Sequence, residues 1–258
     1  MRPRVKVLVG AVATLVASGI TFSTMSASAA SEPAAAGDRP AATAGVKMRV
    51  GTHNVWRGKA AFKPIGDVIG WQEMNSPADR KRLRNELTEY DHFFPKEGPA
   101  RAVPISWRKD TFKLVQADAV LTHKGEAGVT PHRYVNWALL EHRAKKQRFI
   151  MVNTHFISGA WSGHPERQGR WLKHAGKLRK VIGDQHGKHP QLPIFVVGDF
   201  NRPRALSLPS TVEYVRVKGV KGTPIDQAYA TRAVRNTLVE RLKRFGSDHF
   251  AYRFTATF

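Results

Sequence analysis

Residues 193–201 read Pro193-Ile194-Phe195-Val196-Val197-Gly198-Asp199-Phe200-Asn201. A short, unbroken apolar run opened by proline and closed by glycine predicts a strand covered on both faces, because a half-exposed strand would alternate with polar residues. It runs directly into a carboxylate, with an amide two positions further on. Alternation along an extended segment would put Asp199 and Asn201 on one side. A carboxylate mounted on the end of a buried strand is rigidly supported, which a reactive group requires.

The same design recurs through the chain. Lys47 to Trp56 reads as a strand whose end carries Asn54. Asp67 to Glu73 is an apolar strand ending in Glu73, and Arg148 to Asn153 leads into Thr154-His155. Val103 to Trp107, Thr111 to Val120 and Tyr134 to Glu141 read as further strands, with Ile225 to Ala230 and Ala251 to Phe258 closing the fold. A helix capped by Ser76 or Asp79 is predicted around Leu83 and Leu87. A longer amphipathic helix is predicted over Arg167 to Ile182, with Trp171, Leu172, Ala175, Leu178, Val181 and Ile182 on one side. No repeat of fixed period occurs. These elements define a mixed α/β domain that gathers polar strand ends into one cluster.

The N-terminus has a separate character. Arg2, Arg4 and Lys6 precede an apolar run from Val7 to Ile20 and an Ala27-Ser28-Ala29 site, the three parts of a secretory leader. The run is shorter than the ~20 apolar residues of a membrane span and is diluted by Gly10, Thr14, Ser18 and Gly19. The expected organisation is a leader at 1–29, a flexible Ala/Pro/Gly-rich linker at 30–46 and a catalytic domain at 47–258. The protein is expected to be secreted, with no stable membrane insertion after cleavage and a monomer by default. The absence of cysteine excludes disulfides, thiolate metal sites and a cysteine nucleophile. The net charge of +22 predicts a polyanionic partner, nucleic acid being the commonest case.

Five segments belong together: Gly51-Thr52-His53-Asn54-Val55-Trp56, Trp71-Gln72-Glu73, Asn153-Thr154-His155, Val197-Gly198-Asp199-Phe200-Asn201 and Gly246-Ser247-Asp248-His249. In this order they resemble the motifs of the endonuclease/exonuclease/phosphatase family, which includes deoxyribonuclease I. The resemblance spans Met48 to the C-terminus. It implies a four-layer α/β/β/α sandwich of two mixed β-sheets flanked by helices, with the site where strand ends of both sheets converge.

Elementary chemistry points the same way. Cleaving a phosphate ester needs a hard cation on oxygen ligands, a group that activates water, and donors that neutralise charge on the phosphoryl oxygens. Asn54, Glu73 and Asp248 are the candidate metal ligands, and an all-oxygen set suits Mg²⁺ or Mn²⁺, with Ca²⁺ as a possible auxiliary. The resemblance implies that Asp199 orients or deprotonates water, that Asn201 contacts the phosphate or that water, and that His155 and His249 donate to phosphoryl oxygens. It also implies that Asp226 hydrogen-bonds His249 and fixes its tautomer. Arg108 is a candidate phosphate contact, and Trp161 a candidate platform for a base or a lipid. The remaining histidines are assigned to surface or core.

Two features depart from the family. Only 19 positions separate Asn54 from Glu73, so the first helix is expected to be trimmed, and Gln227-Ala228-Tyr229 replaces the usual continuation after Asp226. The expected activity is nuclease cleavage of DNA or RNA. A lipid or small-molecule phosphodiesterase or phosphatase, sphingomyelinase-like or inositol-phosphatase-like, is the alternative, and a noncatalytic polyanion-binding protein is the third.

Overall fold

The computed structural model describes residues 45–258. The leader and most of the linker lie outside the described residues. Gly45 and Val46, assigned to the linker by composition, belong to the folded unit: Val46 is buried and donates its N–H to Phe258 O at 2.7 Å.

Two sheets make up the domain. The first contains β1 (Lys47–Asn54), β2 (Val68–Gln72), β3 (Tyr90–Phe93), β4 (Ile105–Arg108), β11 (Arg235–Asn236), β12 (Glu240–Arg241) and β13 (Tyr252–Thr257), in the order β11-β13-β1-β2-β4-β3 with β12 also on β13. The second contains β5 (Phe112–His123), β6 (Arg133–His142), β7 (Arg148–His155), β8 (Ile194–Asp199), β9 (Val212–Tyr214) and β10 (Asp226–Thr231), in the order β5-β6-β7-β8-β10-β9. Both are mixed, since β1 pairs parallel with β2 and β7 parallel with β8 while their other partners run antiparallel.

The apolar residues divide into layers as a sandwich requires. Met48, Val50, Val68, Phe149, Met151, Phe195, Val197 and Phe254 fill the space between the sheets. On the outer face of the second sheet, Val135, Ile150, Val152 and Val196 pack against Trp171, Leu178 and Ile182 of α2 (Gln168–Lys188). Leu83 of α1 (Pro77–Glu86), with Leu87 just beyond it, packs on Ile69 and Trp71 of the first sheet. The structure is the expected four-layer sandwich, with one helix on each outer face.

Local chemistry sets the boundaries. Ser76 caps α1, accepting from Asp79 N while Asp79 accepts from Ser76 N, a reciprocal capping box. Helix α2 continues six residues past Ile182, a stretch whose glycines and polar residues carry too little apolar period to be read as helix. Between β1 and β2 no helix forms; the connection at 55–67 is irregular and anchored by buried Phe62 and Ile65.

A polar seam crosses the otherwise apolar space between the sheets. Asn153 of β7 donates to Trp71 O at 2.7 Å and Pro104 O at 2.9 Å, and accepts from Gln72 Nε2 at 2.8 Å. Gly70 makes room for it, since a Cβ there would lie 2.7 Å from Asn153 Oδ1.

Candidate functional site

Strand direction decides where the chemistry collects. The parallel pairs put the C-terminal ends of β1, β2, β7 and β8 on one edge of the sandwich, and the antiparallel partners β10 and β13 begin there. Asn54, Glu73, His155, Asp199, Asp226 and the Asp248-His249 pair are therefore brought together from both sheets.

Asp199 Oδ2 is the focus. It accepts from Asn54 Nδ2 at 3.0 Å, lies 3.3 Å from His155 Nε2 and 3.9 Å from His249 Nε2. Burial alone would push the Asp199 carboxyl up; the hydrogen bond from His155 and the charge of His249 outweigh it and hold the group ionised, below its ordinary pKa. Its other oxygen accepts from Asn201 N at 2.8 Å.

The two histidines are in different protonation states for identifiable reasons. His155 Nδ1 is 2.9 Å from Arg133 Nη1, and because a guanidinium only donates, Nδ1 is the acceptor and the ring proton sits on Nε2, facing Asp199. Burial and the charge of Arg133 lower its pKa and keep the ring neutral. His249 Nδ1 donates to Asp226 Oδ2 at 2.8 Å. Burial opposes the proton on His249, but Asp226, Asp199 and Asp248 overcome it and raise the pKa to about 9. Asp226 is raised to about 7 by burial and by the charges of Asp199 and Asp248. The Asp226–His249 pair thus retains a proton at neutral pH, with Nε2 turned toward the reaction centre.

Ser247 ties the final motif to the first. Its hydroxyl donates to Asn54 O at 2.7 Å and accepts from His249 N at 3.0 Å. Asp248 stays half exposed, with Oδ1 at 3.9 Å from His249 Nε2. Glu73 is held by Asn54 Nδ2 at 3.2 Å and by Arg57 N at 2.9 Å. Glu73 and Asn201 both occupy the left-handed region, with φ of 66° and 49°. Non-glycine residues there cost roughly 1–3 kcal/mol, a strain that concentrates at functional sites.

Three expectations change, and one departure finds its reason. Asn201 does not share a face with Asp199 by strand alternation: β8 ends at Asp199, and a left-handed turn brings Asn201 back so that its amide donates to Phe156 O at 3.1 Å beside His155. Arg108 is not in the site. It ends an antiparallel strand and pairs with Tyr90, so it lies beyond the N-terminal end of β2, opposite Glu73, with its guanidinium over the Tyr90 ring. Trp161 is a packing residue, carrying Arg202 on its ring at 3.8 Å and meeting Trp171 edge-on, so it offers no bare platform for a base. Gln227 and Tyr229 have a local purpose. Gln227 donates to Arg202 O and Arg204 O, and Tyr229 OH accepts from Leu206 N, together bracing the loop after Asn201.

Sequence reasoning missed Arg133. The available signal was a cation opening the strand that pairs with the one carrying His155, but many strands begin with a solvated arginine.

The donor set suits a hard cation. Four carboxylates, Glu73, Asp199, Asp226 and Asp248, converge on this edge; Asp226 Oδ1 is buried without a partner, and burial first, then the charges of Asp199 and Asp248, raise the pKa of Asp226. Asp199, Asp226 and His249 offer ligand atoms within 4.8 Å of one another, although the short Asp226–His249 contact is satisfied as a hydrogen bond. Of the three residues expected to ligate the ion, Asn54 meets Glu73 through its amide nitrogen, with its Oδ1 accepting from Trp56 N, while the half-exposed Asp248 is linked to Asn54 through Ser247.

The sandwich and its edge define a class: an α/β/β/α scaffold with acid, amide and imidazole groups converging from both sheets. No family model matches the sequence, and no curated protein is similar to it. Solved structures match the fold. An endonuclease/exonuclease/phosphatase family protein from Bacteroides thetaiotaomicron aligns with TM-score 0.66 and 15% identity over 83% of this chain and 98% of its own. A mannosyl-6-phosphatase from the same species aligns with TM-score 0.65 and 15% identity over 82% of this chain and 100% of its own. The human nocturnin catalytic domain, solved with a bound sulfate anion, aligns with TM-score 0.62 and 15% identity over 82% of this chain and 95% of its own. The fold of this chain is that of the endonuclease/exonuclease/phosphatase proteins.

Proposed function

We propose that the protein is an exported, divalent-metal-dependent phosphoesterase that hydrolyses phosphodiester bonds in nucleic acid. The observation that carries the reading is the convergence of Asn54, His155 and His249 around an ionised Asp199, with Glu73 and Asp248 alongside. The net charge of +22 supports a polyanionic substrate, and the leader-like N-terminus supports export.

Asp199 accepts a hydrogen bond from the attacking water and takes its proton as oxygen bonds to phosphorus. The Nε2–H of neutral His155 steadies the Asp199 carboxylate, and the Nε2–H of protonated His249 faces the phosphoryl oxygens, where negative charge grows. As the phosphorus–oxygen bond to the leaving group breaks, His249 is placed to supply the proton that this oxygen needs. Asn54, Glu73 and Asp248 would hold the divalent ion, which when bound would supply Lewis-acid stabilisation of the same charge.

A small phosphate ester is the second reading, favoured by the likeness of fold to a mannosyl-6-phosphatase. The test is to incubate the purified protein with plasmid DNA, RNA, sphingomyelin, a phosphorylated inositol and mannose 6-phosphate, each with Mg²⁺ or EDTA, beside a His249→Ala variant. EDTA-sensitive cleavage of nucleic acid that the variant loses is the expected result. Turnover confined to lipid or small esters moves the assignment to the second reading, and no turnover of any substrate overturns both.

A further inference from the structure

Next to the segment that follows Glu73 lies a groove of about 460 Å³ lined by Arg80, Arg84, Lys96 and Arg101, together with Phe94 and two prolines, and by no carboxylate. None of the four cations forms an ion pair among the described residues. Asp79, the acid that acts on Arg80, is taken up by Ser76 in the helix cap. Unpaired cations that converge repel one another, and a fold gains nothing from holding them together.

The groups are held in place by other means. Arg101 Nε donates to Pro95 O at 2.9 Å and its Nη2 to Lys96 O at 2.8 Å. Arg84 lies over the Phe94 ring at 4.5 Å, which orients its planar guanidinium. Arg80 Nη1 donates to Met74 O at 3.2 Å. Met74 follows Glu73 directly, and Met74 N donates to Ala102 O, one residue past Arg101. The groove is therefore hydrogen-bonded to the segment that carries Glu73. Strand direction agrees: β3 is antiparallel to β4 and β4 to β2, so β3 runs with β2 and delivers Phe94 to Lys96 onto the edge where Glu73 stands.

We infer that this groove is a second phosphate subsite, which receives a backbone phosphate of the nucleic-acid chain flanking the one bound at Asp199. Guanidinium forks match phosphate oxygens in a bidentate manner, and two or more in one groove hold a phosphate more firmly than scattered lysines do. Burial and the charges of Arg101 and Arg84 depress the pKa of Arg80, the direction expected where an anion is the missing partner. The inference rests on the nucleic-acid reading of the reaction centre.

The test uses Arg84→Ala combined with Lys96→Ala. Both side chains are exposed, and Arg84 sits near the end of α1, where alanine preserves the helix. Two readouts are taken: KM for a single-stranded oligonucleotide against KM for bis(p-nitrophenyl) phosphate, and binding of the same labelled oligonucleotide in EDTA across a salt series. The expected outcome is a rise of roughly tenfold in oligonucleotide KM, no change for the single-phosphate ester, and a salt dependence of binding that is shallower by about 0.7 in slope for each phosphate charge the variant no longer neutralises. Equal oligonucleotide binding by wild type and variant overturns the subsite whatever the turnover. A wild type that binds oligonucleotide without cleaving it, with binding weakened in the variant, overturns the nuclease reading and supports the subsite.

Discussion

Asp226, the first residue of β10, accepts the Nδ1 proton of His249, which stands just before β13 in the opposite sheet, at 2.8 Å. This hydrogen bond orients the imidazole and links the two sheets at the site edge. Asp226→Asn keeps the shape and removes the charge that supports the His249 proton. The expected result in steady-state kinetics is a fall in kcat on the order of 10²-fold with little change in KM. An unchanged kcat would mean that Asp226 has no part in positioning His249.

Arg133 holds His155 in one tautomer by donating to Nδ1. In Arg133→Gln the donor is weakened, and the carboxylates of Asp199 and Glu73, whose charges act on Arg133, lose a cation. We expect kcat to drop roughly tenfold or more, as it does when a supporting partner of a site residue is removed. Nitrogen NMR of the imidazole should show the His155 proton confined to Nε2 in the wild type and exchanging between both nitrogens in the variant.

Glu73 is proposed as a carboxylate ligand of the divalent ion. EDTA should abolish turnover, and Glu73→Gln should raise the Mg²⁺ concentration needed for half-maximal activity by at least about tenfold. Metal-independent activity, or a Mg²⁺ requirement unaffected by the substitution, would exclude Glu73 from the ion's coordination.

Asn153 makes three buried hydrogen bonds between the sheets. Asn153→Ala removes one partner each from the carbonyls of Trp71 and Pro104 and from the Gln72 amide; Pro104 O keeps Trp71 N and Gln72 Nε2 keeps Thr52 Oγ1 and Gly70 O, so the cost falls on the Trp71 carbonyl and on the space left behind, at ~1–3 kcal/mol for a stranded group. The expected loss in urea unfolding is about 2–4 kcal/mol. A loss below about 0.5 kcal/mol, the range of ordinary surface changes, would mean that the seam is not structurally needed.

Glu141 bridges three strands, meeting Lys113 Nζ at 2.9 Å and Arg148 Nε at 2.7 Å. Hydrogen bonds from these two cations lower its pKa from 4.5 to about 2. Because the folded-state value is depressed, the stabilisation is full above pH 4.5 and fades as pH falls toward 2. Glu141→Gln should therefore be less stable than wild type at pH 7, and the difference in urea midpoint should shrink by pH 3. A constant difference across that range would remove the ion pairs as its cause.

Much of this molecule is determined by sequence that acts locally. A run such as Ile194 to Val197 can only be a covered strand, Ser76 can cap α1 because its partner Asp79 stands three residues on, and the ligand-type residues stand at strand ends because polar groups cannot continue a buried run. The five motifs supplied the candidate reacting groups, and the structure brings them to one edge. Other features depended on which way a strand runs and which sheet it faces. Arg108 and Glu73 both follow apolar strands, yet antiparallel pairing sends Arg108 to the far end. Arg133 became a site residue only because β6 pairs with β7 in the register that sets its guanidinium against His155. The groove at Arg80, Arg84, Lys96 and Arg101 joins α1 to the segment after β3, and the spacing of neither segment encodes the other. Periodicity and capping depend on neighbours a few residues apart, so sequence alone fixed them; partner, direction and face are set by residues tens to hundreds of positions apart, and only the packed sandwich decided those.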